Sequence, residues 1–380
     1  MSSYDSYISA LKSGVHKQKI KLELLRQDET PIENITSLIA NTSGNLSVKR
    51  NNGVRRTVNF DIINLDNQYI PNIDSFYIHQ KMQLFLGLEL PDGTDYFLPQ
   101  GIFILDDPSV SSNFSESLIS IQAVDKFGLI NGDLGGELGY VYIINVGTDI
   151  STAIKSILTL SGDPKAPIID SALVGLTNPY TMTYQPSDTL GKIIVDLAQL
   201  YSASCYYNEL GQMVVSKDVD DGIKSSLWDF TTEDDLSYQG AKNQYNWREM
   251  CNSCLVVGSN VNGPTVSYKA SNTNLLSPTS IPNLNGFERI FYYQKDTLST
   301  VLQCTDLANY ILKYKTAVQN SVQINSIKLF HLNPDEIVTL TDEKLGLSDE
   351  RFIINDYSLS LSTNGALSLN VIKSKEIPFI

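Results

Sequence analysis

The residues able to carry chemistry are few and scattered along the chain. Its three histidines, His16, His79 and His331, lie far apart, and none neighbours a serine or cysteine in a nucleophile motif, so a histidine relay has no partner group. Each is read as a solvated or capping residue. Cys251-Asn252-Ser253-Cys254 is formally a C-x-x-C pair, a spacing that can begin a zinc site or a redox couple. No second pair or H-x-x-x-H follows it, and no βαβ redox unit surrounds it. Lys217-Asp218-Val219-Asp220-Asp221-Gly222 suggests a calcium loop, but its glycine stands one place early and no glutamate occupies the twelfth position. It is read as a polar turn. Glu233-Asp234-Asp235 offers carboxylates without a third ligand and is read as surface. Gly132-Asp133-Leu134-Gly135-Gly136 lacks the lysine and the helix start that a phosphate cradle requires. The sequence therefore predicts no catalytic, cofactor-binding or metal-binding residue, no cofactor, and no enzymatic activity.

Charge points the same way. A formal net charge of −14 opposes specific nucleic-acid binding, because neutralising phosphates takes a basic face. One local exception, Lys49-Arg50-Asn51-Asn52-Gly53-Val54-Arg55-Arg56, places four cations around a turn. It would suit either an acidic neighbour or passing nucleic acid, or a solvated hairpin tip kept from aggregating by its charge; the last is the favoured reading.

The elements that position these residues are mostly strands. After a short amphipathic helix from Tyr4 to Leu11, apolar and polar residues alternate over Lys19 to Leu25, Asn45 to Arg50, Thr57 to Leu65, Lys81 to Leu90, Tyr96 to Asp106 and Leu118 to Ala123. This is the period of half-buried strands, and their spacing predicts a small barrel or sandwich. From about Gly128 the pattern changes to two helices and a hairpin. Thr148 or Asp149 caps the first helix, Ser187 or Asp188 the second, and Ser204 to Tyr207 pairs with Met213 to Ser216. From Asn246 the strand pattern returns, interrupted by a helix over 298–315. Cys205 falls inside a strand and Cys304 on a helix stripe, places where small buried thiols are common.

Phe103-Ile104-Leu105-Asp106-Asp107-Pro108-Ser109-Val110-Ser111 aligns with Phe352-Ile353-Ile354-Asn355-Asp356-Tyr357-Ser358-Leu359-Ser360 at an offset of 249 (352 − 103). After a turn one residue shorter, Ile119-Ser120-Ile121-Gln122-Ala123 meets Leu367-Ser368-Leu369-Asn370-Val371 at 248 (367 − 119). Two copies of one hairpin predict two copies of one β-domain. The expected organisation is an N-terminal helix at 1–15, a first β-barrel domain at 16–127, an α/β insert at 128–245, and a second β-barrel domain at 246–380. The fold class is mainly β, with two similar small barrels flanking an α/β domain. Phe103 and Phe352 should then occupy equivalent strand positions.

At 380 residues, 42% hydrophobic and 18% charged, the composition is that of a folded chain whose surface is rich in uncharged polar groups. Such a surface suits packing against other proteins. No apolar run approaches a membrane span, and the N-terminus lacks a signal-like segment. Four cysteines are too few to staple this length, so folding in a cytoplasm is expected.

Arg55-Arg56-Thr57-Val58-Asn59-Phe60-Asp61-Ile62-Ile63-Asn64, Gly101-Ile102-Phe103-Ile104-Leu105-Asp106 and Ile119-Ser120-Ile121-Gln122-Ala123-Val124-Asp125-Lys126 resemble the baseplate hub proteins of tailed bacteriophages. That family's pattern is shared with contractile bacteriocins and with the N-terminal module of tail-associated proteins of long-tailed phages. Leu197 to Tyr207 with its Leu210-Gly211 turn is similar to the family's central part, and Pro334-Asp335-Glu336-Ile337-Val338 through Val371 to its C-terminal barrel. The usual glycine before Asp335 is absent.

The resemblance implies a homotrimer forming a pseudo-sixfold ring that adapts a sixfold tail tube, or a distal tail protein, to a threefold spike or fibre. It implies a channel through which DNA passes and a location at the tail tip of a virion made in the cytoplasm of a host bacterium. Three copies of a duplicated chain present six near-equivalent surfaces, which resolves the symmetry mismatch. The expected channel wall is neutral to acidic, with the four cations near Gly53 facing a protein neighbour. Two other classes stand beside this one: a tail-associated receptor- or carbohydrate-binding β-module, and, with less support, a cell-wall hydrolase.

Overall fold

The computed structural model describes residues 3–373 apart from 14–16, 41–43, 65–66, 72–75, 78, 113, 115–116, 202, 218–223, 234–236, 247, 249, 260–264, 296–297, 299, 316–318 and 363–364. Helix α1 (Ser3–Lys12) opens the chain and buries Tyr7, Ala10 and Leu11. Eight strands follow: β1 (Gln18–Leu25), β2 (Pro31–Asn34), β3 (Asn45–Lys49), β4 (Arg56–Ile63), β5 (Lys81–Glu89), β6 (Asp95–Leu105), β7 (Ser109–Ser112) and β8 (Ser117–Asp125). The β4 row shows why they form. Arg56, Val58, Phe60 and Ile62 are buried, while Thr57, Asn59 and Ile63 are exposed and Asp61 half-buried, so one face enters the core and the other meets water.

The middle of the chain holds β9 (Tyr142–Ile144), α2 (Ile150–Leu160), β10 (Ile168–Ile169), β11 (Met182–Tyr184), α3 (Leu190–Gln199), β12 (Ala203–Tyr207) and β13 (Met213–Lys217). Asp149 caps α2 by accepting from the Thr152 amide, as expected. Helix α3 is capped by Thr189, which accepts from Lys192, rather than by Ser187 or Asp188. Asp188 instead accepts from the Gln185 amide and pairs with Lys192.

This region contains a second repeat that the sequence reading did not detect. β9 pairs antiparallel with β11, Tyr142 opposite Tyr184 and Ile144 opposite Met182. Two isolated bridges are reciprocal at an offset of 40: Glu137 to Thr189, and Thr177 to Asp149 (177 − 137 and 189 − 149). Two strand-turn-helix units are thus related by a local twofold axis around their own hydrophobic cluster, which includes Ile154, Ile157, Ile193, Leu197 and Tyr207.

Beyond it run β14 (Ser226–Thr231), β15 (Tyr238–Asn246), β16 (Ser253–Gly258), β17 (Ser267–Ser271), β18 (Ile290–Lys295), α4 (Val301–Lys315), β19 (Gln319–Ser326), β20 (Ile337–Asp342), β21 (Leu347–Ser360) and β22 (Leu367–Lys373). β14 and β15, expected in the insert, belong to the large sheet. β16, β17 and β18, expected in the second barrel, form a separate three-stranded sheet. That sheet packs against α4 around Cys254, Val256, Cys304 and Leu312.

The two β regions carry the same register. Met82 faces Phe103 and Val338 faces Phe352. Ala123 faces Leu105 and Val371 faces Ile354. Ser120 faces Ser109 and Ser368 faces Ser358, while Phe60 faces Ile121 and Ile324 faces Leu369. Phe103 and Phe352 therefore hold the same position, and the offsets of 249 and 248 are those of the strands themselves. The copies diverge at their flanks, where β1 runs antiparallel to β5 but β14 runs parallel to β20.

Neither copy closes into the expected barrel. The strands make one open fourteen-stranded sheet: eleven run in the order β15-β19-β22-β21-β3-β4-β8-β6-β5-β1-β2, while β20 joins β21, β14 joins β20, and β7 joins β8. The physical reason is the β21·β3 ladder, Leu359 opposite Leu46 and Tyr357 opposite Val48, which spends one edge of each copy on the other. The inward faces of both copies then merge into a single cluster containing Leu46, Phe60, Phe103, Phe352 and Leu369.

Candidate functional site

The opposite face of this sheet is an extended surface that runs across both copies. Along β15-β19-β22-β21-β3-β4-β8-β7 the registers place Lys242 beside Gln323, Gln323 beside Asn370, and Asn370 beside Asp356. Asp356 stands next to Lys49 and Ser358 next to Ser47. Ser47 neighbours Thr57, Asn59 neighbours Gln122, and Asp61 neighbours Ser120. Strand alternation turns every one of these side chains to the same side.

Eight of these twelve are uncharged hydroxyls and amides. The charged members are Asp61, Asp356, Lys49 and Lys242, two of each sign, on a chain whose net charge is −14. Many bond to one another: Ser120 donates to Asp61 at 2.7 Å, Ser358 to Asn45 at 2.8 Å, Gln323 to Ser368 at 3.0 Å, and Asn370 to Asp356 at 2.6 Å. Such a face is well hydrated and has no excess charge with which to hold or repel a polyanion.

The arginines thought to tip a solvated hairpin are buried. Arg55 and Arg56 are 3% and 2% exposed. Their backbone amides donate to Oδ2 of Asp125 at 2.7 and 2.8 Å, and Phe127 N donates to Oδ1 at 3.0 Å. Arg55 lies over the Tyr206 ring at 3.3 Å and pairs with Asp335 at 2.9 Å, which also takes Arg50 at 2.5 Å. Arg56 donates to Gln100 O and to Asn333 Oδ1, and pairs with Glu209 at 3.5 Å. Three of the four cations expected to face a protein neighbour are thus engaged within the chain, tying the sheet to β12 and to the loop before β20. Their partners lie 44 to 280 residues away, beyond the reach of local pattern. Burial raises Asp125 to about 6 and Glu336, near Arg56, to about 7.

The other sequence candidates do not converge. His79 bonds Leu134 O at 2.7 Å through Nε2, whereas His16, Asp218–Gly222, Asp234 and Asp235 lie outside the described residues. Gly136, with φ +90°, packs against the Ile130 backbone, which a Cβ would meet at 2.4 Å. Its carbonyl, not its amide, faces the start of α3, opposite to what an anion site needs. Cys254 is buried and Cys251 half-buried. No group of three or more metal-ligating side chains occurs among the described residues.

His331, read as solvated or capping, is half-buried and packed among aromatic rings instead. Its Nδ1 lies 3.3 Å from the Tyr7 hydroxyl and its ring 5.6 Å from that of Trp228. Burial pushes it down to about 4, against about 6.5 when unfolded. The fold therefore holds it neutral. Its contribution is present above pH 6.5 and lost as pH falls from 6.5 through 4, by about 3 kcal/mol on the linkage scale. Asp125 and Glu336, raised by burial, act with the opposite sign between pH 4 and 7. The difference in unfolding free energy between the native chain and H331Q isolates the histidine: it should shrink by up to about 3 kcal/mol from pH 7 to pH 4. A difference independent of pH would refute this.

No family model matches the sequence, and no curated protein matches it. Solved structures do match. The 43 kDa tail protein of prophage MuSo2 from Shewanella oneidensis superposes with a TM-score of 0.66 at 13% identity, covering 94% of this chain and 99% of that one. A tail protein from Neisseria meningitidis gives 0.66 at 10% identity over 94% and 96%. An Escherichia coli component of the type VI secretion system, itself described as structurally similar to the bacteriophage T4 tail proteins gp27 and gp5, gives 0.51 at 10% identity over 95% and 78%. The chain has the fold of phage tail proteins over nearly its whole length.

Proposed function

We propose that this chain is a structural hub of a phage-type tail. Three copies form a ring that presents six near-equivalent β units to a sixfold tube or distal tail protein and threefold symmetry to a spike or fibre, leaving a channel for DNA. The observation that carries the reading is the duplicated four-stranded unit, β3-β4-β8-β7 and β15-β19-β22-β21, with one polar face of balanced charge continuous across both copies. Duplication supplies the pseudo-sixfold symmetry, and the face supplies a wall along which a polyanion slides without being held. The absence of converging catalytic groups among the described residues fits a structural role rather than a hydrolase, and the fold of solved tail proteins supports a place in the virion.

A reconstruction of the assembled particle tests this. The expected unit is a trimer of about 127 kDa (3 × 42.2 kDa) whose lumen is lined by residues such as Asn59, Gln122, Ser358 and Asn370. Six copies per ring, or a lumen lined by other surfaces, would overturn it. Isolated chains can remain monomeric at low concentration, because each association forfeits about 4–15 kcal/mol of translational and rotational freedom.

A further inference from the structure

The chain contains, in cis, a contact that its own duplication requires a second time. The second copy's β21 pairs with the first copy's β3, Leu359 opposite Leu46, Ser358 opposite Ser47 and Ser360 opposite Asn45. By the registers already given, β7 is the counterpart of that half of β21, since Ser109 and Ser358 face Ser120 and Ser368. β15 is the counterpart of β3, since Lys242 faces Gln323 as Asn45 faces Asn59. Among the described residues both counterparts are edges: β7 pairs only with β8, and β15 only with β19.

We infer that β7 of one copy pairs antiparallel with β15 of a second copy of this chain, Val110 opposite Asn243, Ser109 opposite Gln244 and Ser111 opposite Lys242. The inference rests on the ring reading above and states which strands close it. Backbone geometry favours it. Within the chain, Leu361 N donates to Gly44 O and Arg50 N to Asn355 O, so the odd-numbered residues of β21 bond β3, while Ser360 N bonds Ala366 on the other side. Carried to β7, this alternation points the N–H and C=O of Val110 and Ser112 to the open edge, and those of Ser109 and Ser111 to β8.

All four β7 residues are exposed, Val110 by 45%, as an unpaired edge would be. Pro108, at the position equivalent to Tyr357, has no N–H to offer and ends the ladder there. The side chains also explain why this junction awaits assembly. Leu46 and Leu359 lock the internal junction, at 0% and 1% exposure, whereas the external one sets Val110 against Asn243, so little apolar area drives it in a single pair.

Ser109 and Gln244 would form a non-hydrogen-bonded pair, with Cα atoms about 4.5 Å apart, inside the range a disulfide spans. In particles assembled from full chains carrying Ser109→Cys and Gln244→Cys, mild oxidation should convert most of the protein into covalent dimers and trimers. Either single variant, or Ser109→Cys with Lys242→Cys, should give at least tenfold less. Threefold rings seen by electron microscopy without cross-linking would overturn the strand assignment and leave the ring standing. Absence of threefold rings would defeat the ring reading and this inference with it. A second variant guards against misfolding: Val110→Pro removes only an N–H aimed at the open edge, so the chain should melt as the native one does yet yield at least tenfold fewer rings. Val110→Ala should assemble normally. Normal assembly of V110P would refute the pairing.

Discussion

Glu29→Gln should lower the unfolding free energy by about 3–5 kcal/mol, the usual cost of stripping one partner from a buried ionic cluster. The Glu29 side chain is 2% exposed and binds three ammonium groups: Lys126 at 2.6 Å, Lys81 at 3.2 Å and Lys165 at 3.0 Å. Burial alone would raise its pKa; Lys126 and Lys165 outweigh that and hold it below the usual carboxylate value. The sole other carboxylate bonded to these lysines among the described residues is Asp163, which takes Lys126 at 2.6 Å and the Tyr207 hydroxyl at 2.6 Å. Removing the Glu29 charge leaves three cations against one anion where water is scarce. The cluster joins the β1–β2 turn and β5 to the insert, so its loss should also loosen the insert from the sheet. Adding Lys126→Met to Glu29→Gln should recover part of the loss. Chemical denaturation of the two single variants and the double variant measures it. A loss under about 1 kcal/mol, or strict additivity, would show the cluster to be incidental.

The second large effect concerns the polar face. Gln122 and Asn370 are exposed and stand at equivalent positions of the two copies, 248 residues apart. Arginine at both would put six cations (2 × 3) around the lumen of the proposed ring. Counterion release then predicts that duplex DNA binds the ring with a slope of about −5 in log K against log salt, where the native ring should show almost none. Particles carrying the pair should eject their genome slowly or stall. Serine at both positions should behave as native. Unchanged DNA affinity in the arginine variant would place the lumen on another surface.

Much of this was legible in the chain before any coordinates. Alternation along β4, β8 and β21 reports which side chains turn inward, because a strand's faces are set by a two-residue period and need no partner. The offset of 249 matched the strand register because both hairpins must put Phe103 or Phe352 into the same core position opposite Met82 or Val338. The cap of α2 was local chemistry and was legible too. The cap of α3 was not, since Ser187, Asp188 and Thr189 are all competent oxygens and the choice depends on where Asp188 finds other donors.

What only the tertiary structure decided was which edges meet and which charges are enclosed. Periodicity is blind to edges: it cannot say that β3 joins β21 rather than closing a barrel, that β14 and β15 leave the insert, or that β16–β18 leave the large sheet. It read four cations at a turn as a solvated tip, because the groups that enclose Arg55 and Arg56, namely Asp125, Gln100, Tyr206, Glu209, Asn333 and Asp335, arrive from 44 to 280 residues away. The same holds for His331, covered by the N-terminal helix from 324 residues away. A face is a property of one segment and its own alternation. An edge, and the burial of a charge, exist only once distant segments have been brought together.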